Sequence, residues 1–230
     1  MASKEGQTFN LPKKSSLVAD LFTTQEQRDN ERLEKVVDIP IAEIDDFPEQ
    51  PFHVKMDESM QSMIESVKAV GIQTPAIARQ KDDGRYELIS GHRRKMAATA
   101  AGLETMPVIV RQMSRDEAII ALVDANLQRE VILPSEKAKS YKMKLEAISR
   151  QGQRTDLTSR PVGEKFSVEQ ISEKTDDSAR QIHRYIRLTE LTPELLQMVD
   201  DGKIAFRPAV ELSYLSKDEQ SSLLDKGFRR

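Results

Sequence analysis

Two helix-start signals lie close together in the C-terminal half of the chain, and they restrict its fold more than any other feature. Ser167 is followed three positions later by Gln170, and Ser178 by Gln181, so one capping pattern recurs after 11 residues. The spacing predicts a short helix over 168–174, a tight turn and a second helix. Two capped helices joined so closely cross at a steep angle, which is the arrangement of a helix-turn-helix over residues 167–188.

The second of these helices has two different faces. Ile182, Tyr185 and Ile186 form an apolar stripe. Arg and Gln pair bidentately with guanine and adenine edges in the major groove, and further Arg side chains suit phosphates. The alternative is a core helix with a solvated basic face, but the two adjacent caps favour DNA binding. The residues predicted to contact DNA are Ser178, Arg180, Gln181, His183, Arg184 and Arg187.

The composition excludes several classes of protein without opposing this interpretation. The net charge of −3 over 230 residues does not indicate a nucleic-acid binder, but a whole-chain sum hides a local basic face. The absence of cysteine excludes disulfides and thiolate chemistry. No apolar run reaches the length of a membrane span, and the N-terminus has no apolar signal core, so we expect a cytoplasmic protein with no membrane association.

The periodicity divides the chain into three parts and predicts an α+β fold. Residues 1–35 are polar and form a flexible tail, with a helix starting near Thr24; an apolar patch at 17–22 is either a partner-binding peptide or part of the tail. Residues 36–112 are a small α/β domain. Residues 113–230 are a helical domain that contains the helix-turn-helix.

Within the α/β part, turn residues and apolar spacing define alternating elements. Asp57 is the predicted cap of a helix that Gly71 ends. In chain order the elements are a strand at Val36–Ile44, a helix with apolar positions Met60, Met63, Ile64 and Val67, strands Ala76–Arg79 and Tyr86–Ser90, a helix from Gly91 to Ala101, and a strand at Val108–Arg111.

The helical part begins at a second kind of signal. Ser114 and Glu117 form a capping box for a helix toward Gln128. The remaining elements are a helix from Pro134 to Arg150, a polar linker at 151–166, the helix-turn-helix, a helix capped by Thr192 with Pro193 at its first position, and a last helix opened by Ser216 and Glu219.

An anion site is predicted where Gly91 separates a strand from a helix. Two adjacent arginines, Arg93 and Arg94, start that helix and oppose its dipole unless an anion offsets them. Glycine between a strand and a helix also turns backbone amides toward a phosphate. The alternative is an exposed basic turn. Asn126 and Arg129 end another helix and supply further donors, provided that the fold brings the two segments together.

These motifs stand in the order of the ParB/RepB/Spo0J partition family. FPEQPFHV (47–54) resembles its NPxQPR box, GIQTP (71–75) its GxxQP segment, and SGHRRKMAA (90–98) its GERRxRAA box. DANLQRE (124–130) with the following LPSEKA resembles ENLQRxxL and LxPxEEA, and GKIAFRPAVELSYL (202–215) resembles the stretch after the family's helix-turn-helix. The resemblance covers about residues 36–218.

The resemblance implies a ParB/sulfiredoxin-like N-terminal domain that binds CTP with Mg²⁺. It also implies a centromere-like inverted-repeat DNA site, a homodimer closing as a clamp, a ParA-like ATPase partner, and association with the nucleoid or a plasmid. Most of the family's C-terminal dimerisation domain has no counterpart in this sequence. The nucleotide-binding residues that the resemblance implies are Gln50, His53, Gly71, Thr74, Pro75, Gly91, His92, Arg93, Arg94, Asn126 and Arg129.

The chain departs from the family at the residues that would serve catalysis. His92 and Ala125 replace the Glu residues of GERR and ENLQR, which removes two hard oxygen ligands for Mg²⁺. Thr74 and His53 replace the Gln of GxxQP and the Arg of NPxQPR. We therefore expect a partly kept anion cradle, name no catalytic residue, and leave CTP hydrolysis open.

Three functions fit these patterns. The first is a sequence-specific, centromere-binding partition protein of a plasmid or chromosome. The second is a helix-turn-helix transcriptional regulator whose ParB-like domain binds nucleotide weakly or not at all. The third is a CTPase. A sulfiredoxin-like enzyme needs a catalytic cysteine, which this chain lacks.

Overall fold

A computed structural model describes residues 34–52, 54, 56–129, 131–155 and 164–227. The described residues from Val36 onward form one compact unit. The predicted tail helix near Thr24 and the apolar patch at 17–22 lie outside the described residues, as does His53.

The elements follow one another as the α+β prediction requires, first strands and helices mixed and then helices alone. They are β1 (Val36–Pro40), a short 3₁₀ turn (Ile41–Glu43), β2 (Ile44–Asp45), α1 (Glu58–Val70), β3 (Ala76–Gln80), β4 (Tyr86–Ser90), α2 (His92–Ala101), β5 (Thr105–Arg111), α3 (Arg115–Leu127), α4 (Pro134–Thr155), α5 (Glu164–Ser172), α6 (Ala179–Arg187), a 3₁₀ turn (Leu188–Glu190), α7 (Pro193–Asp200), α8 (Phe206–Leu212) and α9 (Lys217–Gly227).

The strands form one mixed sheet in the order β1-β5-β3-β4-β2. β1 pairs antiparallel with β5, and β3 lies between a parallel β5 and an antiparallel β4. One face of the sheet buries small and aliphatic side chains, including Ala76, Ala78 and Leu88. The predicted hairpin Ala76–Arg79 and Tyr86–Ser90 is confirmed, and Gly84 takes the left-handed φ of 85° that its turn requires.

Helices α1 and α2 pack on each other beside the sheet. The Asp57 carboxylate accepts a hydrogen bond from the Met60 amide at 2.8 Å, so the predicted N-cap is confirmed. Met60, Val67 and Ala97 form the buried contact between the two helices. This packing holds the start of α2, where the candidate anion site lies.

A second cluster joins the sheet to the helical part. Ile89 of β4 is buried against Ile119 and Leu122 of α3 and against Ala147 of α4. The capping box at Ser114 and Glu117 is confirmed, because each residue's side chain bonds the other's backbone. The described residues from Val36 onward therefore share continuous packing, and the predicted boundary at 112 stays a prediction.

The predicted linker at 151–166 is wrong at both ends. Helix α4 continues through Thr155 and α5 begins at Glu164, so only 156–163 lie between them, outside the described residues. Ser167 is consequently not a cap: it lies inside α5 and is fully buried, and its hydroxyl has no hydrogen-bond partner among the described residues. Packing extended the helix, because Val168 and Ile171 are buried against α4.

Two other predicted caps have different outcomes. Ser216 and Glu219 bond each other's backbone and open α9, as predicted. Thr192 precedes Pro193 as predicted, but its hydroxyl makes no capping bond, and its amide donates instead to the Gln220 side chain at 2.8 Å. Among the described residues, no helix is both long and apolar enough to cross a membrane.

Candidate nucleic-acid interface and anion site

Helix α6 is held by its apolar side and begins at a polar cap. The Ser178 hydroxyl accepts a hydrogen bond from the Gln181 amide at 3.3 Å. Ile182 is fully buried between α4 and α5, with Tyr185 and Ile186 packed beside it. Six residues, 173–178, connect α5 to α6, and the two helices contact each other.

The opposite side of α6 faces solvent. Arg180 and His183 are exposed, and Gln181 and Arg184 are half-buried. Within the part of the chain that the structure describes, neither Arg180 nor Arg184 forms an ion pair. Their guanidinium groups are therefore available to an external acceptor, such as a phosphate or a guanine edge.

Arg187 differs from the other predicted DNA contacts. Its guanidinium donates to the Ser213 carbonyl and, at 3.4 Å, to the Ser213 hydroxyl. It also lies 4.3 Å from the centre of the Tyr214 ring. This arginine ties α6 to the end of α8, so the structure gives it an internal partner, and its contact with DNA stays a prediction.

Gly91 sits in a position that only glycine can occupy without strain. It precedes α2 with φ of 107°, in the left-handed region. A Cβ there would lie 2.9 Å from the Ala76 Cβ and 3.3 Å from the Ala76 Cα. The chain therefore passes close to β3 here, as the predicted strand–glycine–helix turn requires.

The two arginines after Gly91 both have partners in their own chain. Arg93 donates to the Ser59 hydroxyl at 2.7 Å and lies 3.7 Å from an Asp57 carboxylate oxygen. Arg94 donates to the carbonyls of Thr74 and Pro75, both at 2.6 Å. Gly71, which has φ of 72°, ends helix α1, and Arg94 holds the segment that follows it. Arg93 is the more available of the two arginines.

His92 is an uncharged side chain at neutral pH. Burial, more than any nearby charge, lowers its pKa to about 4. Its Nε2 atom has no hydrogen-bond partner among the described residues. The imidazole lines a cavity of about 620 Å³ between α2 and the loop before α1, together with Phe47, Gln50, Phe52 and Met96.

The end of α3 comes within electrostatic reach of this site. Burial, and to a smaller extent the charge of Arg93, lowers the pKa of Arg129, and the charge of Arg129 contributes to lowering that of His92. Arg129 lies 5.4 Å from the centre of the Phe52 ring. The two predicted segments therefore meet. Asn126 is buried and donates to the Leu122 carbonyl at 2.8 Å, so its amide supports the helix end.

The donor set does not fit a protein-held Mg²⁺ ion. Among the described residues, no three His, Asp or Glu side chains are grouped so that they could hold a metal. His92 offers a nitrogen and Ala125 offers nothing, whereas Mg²⁺ prefers oxygen ligands. Asp124, the nearest carboxylate in sequence, is paired with the buried Lys144.

Sequence reasoning missed the polar contacts that hold the turn before α6. Asp176 and Asp177 are of a residue type that favours turns, and their local sequence indicates no distant partner. Asp177, however, accepts a hydrogen bond from the Tyr141 hydroxyl and pairs with Lys137, both on α4. Only the spacing of four between Lys137 and Tyr141, which places them on one helix face, could have signalled it.

The chain is similar to known proteins over most of its length. The family model of the ParB N-terminal domain matches residues 25–127. The chromosome-partitioning protein Spo0J of Thermus thermophilus is 31% identical over 198 residues, which cover 84% of this chain and 66% of that protein. Stage 0 sporulation protein J of Bacillus subtilis is 35% identical over 175 residues, covering 75% of this chain and 55% of that protein.

A solved Pnob8-like ParB-N domain has a similar fold, with a TM-score of 0.51 and 16% identity over 85% of this chain and 85% of that one. The chain spans between about half and two thirds of the length of the curated relatives that it matches.

Proposed function

This chain belongs to the ParB/Spo0J family, and on that premise we propose that it is a sequence-specific DNA-binding partition protein acting in plasmid or chromosome segregation. The observation that supports DNA binding is the outward face of α6. It presents Arg180, His183 and Arg184, free of ion pairs among the described residues, on a helix whose other side is packed into the core.

We propose that α5 and α6 act as a helix-turn-helix with α6 as the recognition helix. Its N-terminal residues are the ones that reach base edges in this kind of motif, which suits Arg180, Gln181 and Arg184. Ser178 accepts hydrogen bonds from the amides of Gln181 and Ile182, and the amides of Ala179 and Arg180 before them can face a phosphate.

We propose that the site around Gly91 binds a phosphate-bearing ligand, with CTP as the expectation from the family. Arg93 and Arg129 supply positive charge within reach of each other, and the neighbouring cavity of about 620 Å³ has room for a ring. A bound Mg²⁺ would neutralise phosphate charge, but the donors among the described residues do not fit this ion. Hydrolysis of the nucleotide stays open.

The partners implied by the family are part of the same proposal. They are a short inverted-repeat DNA site, a second copy of the chain, and a ParA-like ATPase. A homodimer on an inverted repeat places one α6 in each half-site, so the spacing of half-sites follows the helical repeat of DNA. A location on the nucleoid or on a plasmid follows from DNA binding.

Selection from random duplexes tests the central claim. We expect enrichment of one short inverted repeat, and affinity that falls steeply with salt because phosphates release counterions. Binding that does not distinguish the enriched duplex from a shuffled one would contradict the proposal. Arg115→Ala is the matched control for arginine variants of α6, because this arginine lies on α3 and pairs with Glu49 at the surface.

The donor set at His92 and Ala125 favours a second candidate, a DNA-binding regulator whose ParB-like domain binds nucleotide weakly or not at all. A partition protein spreads from its site along neighbouring DNA when nucleotide is present, whereas a regulator stays at the site. Binding to a long duplex that carries one site, with and without CTP, separates the two.

A further inference from the structure

The turn before α6 is anchored by one carboxylate. Asp177 immediately precedes Ser178, the cap of α6. Its Oδ2 atom accepts a hydrogen bond from the Tyr141 hydroxyl at 2.5 Å and lies 2.6 Å from the Lys137 ammonium. Both donors belong to α4 and stand one turn apart on its surface. We name this group of three residues the Asp177 anchor.

The anchor is partly shielded from solvent. Tyr141 is 1% exposed, and the side chains of Asp177 and Lys137 are 17% and 24% exposed. Charges shielded from water in this way are screened less by salt than surface pairs are. Burial, followed by the hydrogen bond and charge of Asp177, raises the pKa of Tyr141, so the hydroxyl remains a donor at physiological pH.

The same α4 residues also contact the C-terminal half of α6. The Lys137 ammonium lies 4.8 Å from the centre of the Tyr185 ring, a cation–π distance. The rings of Tyr141 and Tyr185 are 5.9 Å apart and tilted by 51°. Tyr185 in turn packs on Phe206 of α8, with ring centres 4.7 Å apart. Helix α6 is therefore held at its start and again about two turns later, at Tyr185.

These two sets of contacts fix the rotation of α6 about its axis and its distance from α4. Arg180 and Arg184 lie on the exposed side of the same helix, so any rotation of α6 moves both guanidinium groups together. Hydrogen bonds to base edges depend on such positions to within a fraction of an ångström, whereas contacts with phosphates tolerate larger shifts.

We propose that Lys137 and Tyr141 are positioning residues that orient α6 through Asp177 and thereby set how well the protein distinguishes its DNA site from other sequences. The inference rests on the proposed DNA-binding function of α6. It assigns sequence discrimination partly to two side chains of α4, one buried and one half-buried, in addition to the outward face of α6.

The test compares two affinities in the full chain. Binding is measured by fluorescence anisotropy to the duplex enriched by selection and to a shuffled duplex, over a series of salt concentrations. For Tyr141→Phe we expect about a tenfold loss of affinity for the enriched duplex, on the order of one lost base contact. We expect less than about a twofold change for the shuffled duplex and an unchanged salt slope, because the phosphate contacts are kept.

Asp177 variants give a readout that general destabilisation would not produce. Asp177→Asn keeps an oxygen acceptor for Tyr141 but loses the charge pair with Lys137, whereas Asp177→Ala loses both. We expect discrimination to rank wild type, then Asp177→Asn, then Asp177→Ala, at a temperature where circular dichroism shows all three folded. Tyr86→Phe on β4 is the matched control for the hydroxyl deletion.

The possible results separate the two proposals. If the wild-type protein does not discriminate between duplexes, the proposed function fails. If the wild type discriminates and Tyr141→Phe and Asp177→Ala discriminate equally well, only the anchor fails. If Tyr141→Phe does not fold, Asp177→Asn decides in the same assay: reduced discrimination supports the anchor, and full discrimination overturns it.

Discussion

The start of α2 and the exposed face of α6 both carry arginines, but the two regions use them differently. At α2, Arg93 and Arg94 already donate to Ser59, Thr74 and Pro75, so a ligand has to compete with the protein's own acceptors. At α6, Arg180 and Arg184 have no ion pair within the described residues.

Arginine clusters that look alike in the sequence can therefore differ in the structure. Some arginines bond their own chain, and others are available to a partner. At α2 the arginines bond acceptors of their own chain, with which the proposed ligand would compete. At α6 the apolar side packs into the core, and Arg180 and Arg184 have no ion pair among the described residues. Arg187 shows that the division also runs within one helix, because it is tied to Ser213. Mutations at the two regions should therefore affect different properties.

The largest effect is expected at the proposed phosphate site around Gly91. Arg93→Ala removes one of the two positive charges that we propose hold the phosphate, so we expect nucleotide binding to fall below detection by calorimetry. The affinity for bare DNA should stay nearly unchanged, because α6 is intact. Equal loss of both activities would mean that the two regions are not separate. Arg94→Ala should lose nucleotide binding too, with an added loss of stability, because two carbonyls lose their donor.

Gly91→Ala tests the close packing at the start of α2 through its effect on the free energy of unfolding. The new Cβ would meet Ala76 at 2.9 Å in a left-handed conformation. Left-handed strain and overpacking together should lower the free energy of unfolding by about 3 kcal/mol. Urea denaturation measures the change. Gly102→Ala, at φ of 79° with nothing within 4 Å, isolates the conformational part, for which we expect about 1 kcal/mol. Similar losses at both glycines would argue against the close approach to β3.

Arg184→Ala tests the available charge on α6. We expect specific DNA affinity to fall by about 1–3 kcal/mol, with the free energy of unfolding unchanged. Arg187→Ala should instead lower mainly the free energy of unfolding, with a smaller effect on DNA affinity. Its guanidinium bonds Ser213 and covers the Tyr214 ring. Anisotropy and urea denaturation of both variants check the pair. A loss of stability in Arg184→Ala equal to that in Arg187→Ala would remove the distinction.

The smallest effect concerns the pH dependence of His92. Its folded pKa of about 4 lies below the ordinary value of 6.5, so the unfolded chain takes up the proton first as pH falls. The stabilisation from the neutral imidazole is complete above pH 6.5 and is lost toward pH 4. Between pH 7 and pH 5.5 the free energy of unfolding should fall by about 1 kcal/mol more in the wild type than in His92→Gln. Parallel curves for the two proteins would show that His92 is not buried in the neutral form.

Local signals predicted most of the fold. Asp57, Ser114, Ser178 and Ser216 each precede a helix, and the hairpin before Gly91 stands where turn residues and alternation place it. These signals work because a cap bonds an amide only two or three residues away, so no distant contact is needed. The exposed face of α6 was predictable for the same reason, since helical periodicity alone separates Ile182 from Arg180 and Arg184.

Tertiary structure decided what local signals could not. Ser167 has the pattern of a cap, yet burial of its neighbours against α4 placed it inside α5. The pairings of Asp177 with Tyr141, Arg187 with Ser213 and Arg93 with Ser59 span 36, 26 and 34 positions of the chain. Local sequence signals thus predicted where α1, α3, α6 and α9 begin and which face of α6 is basic. Only packing decided which arginines are free, because a side chain's partner depends on elements that meet far apart in the chain.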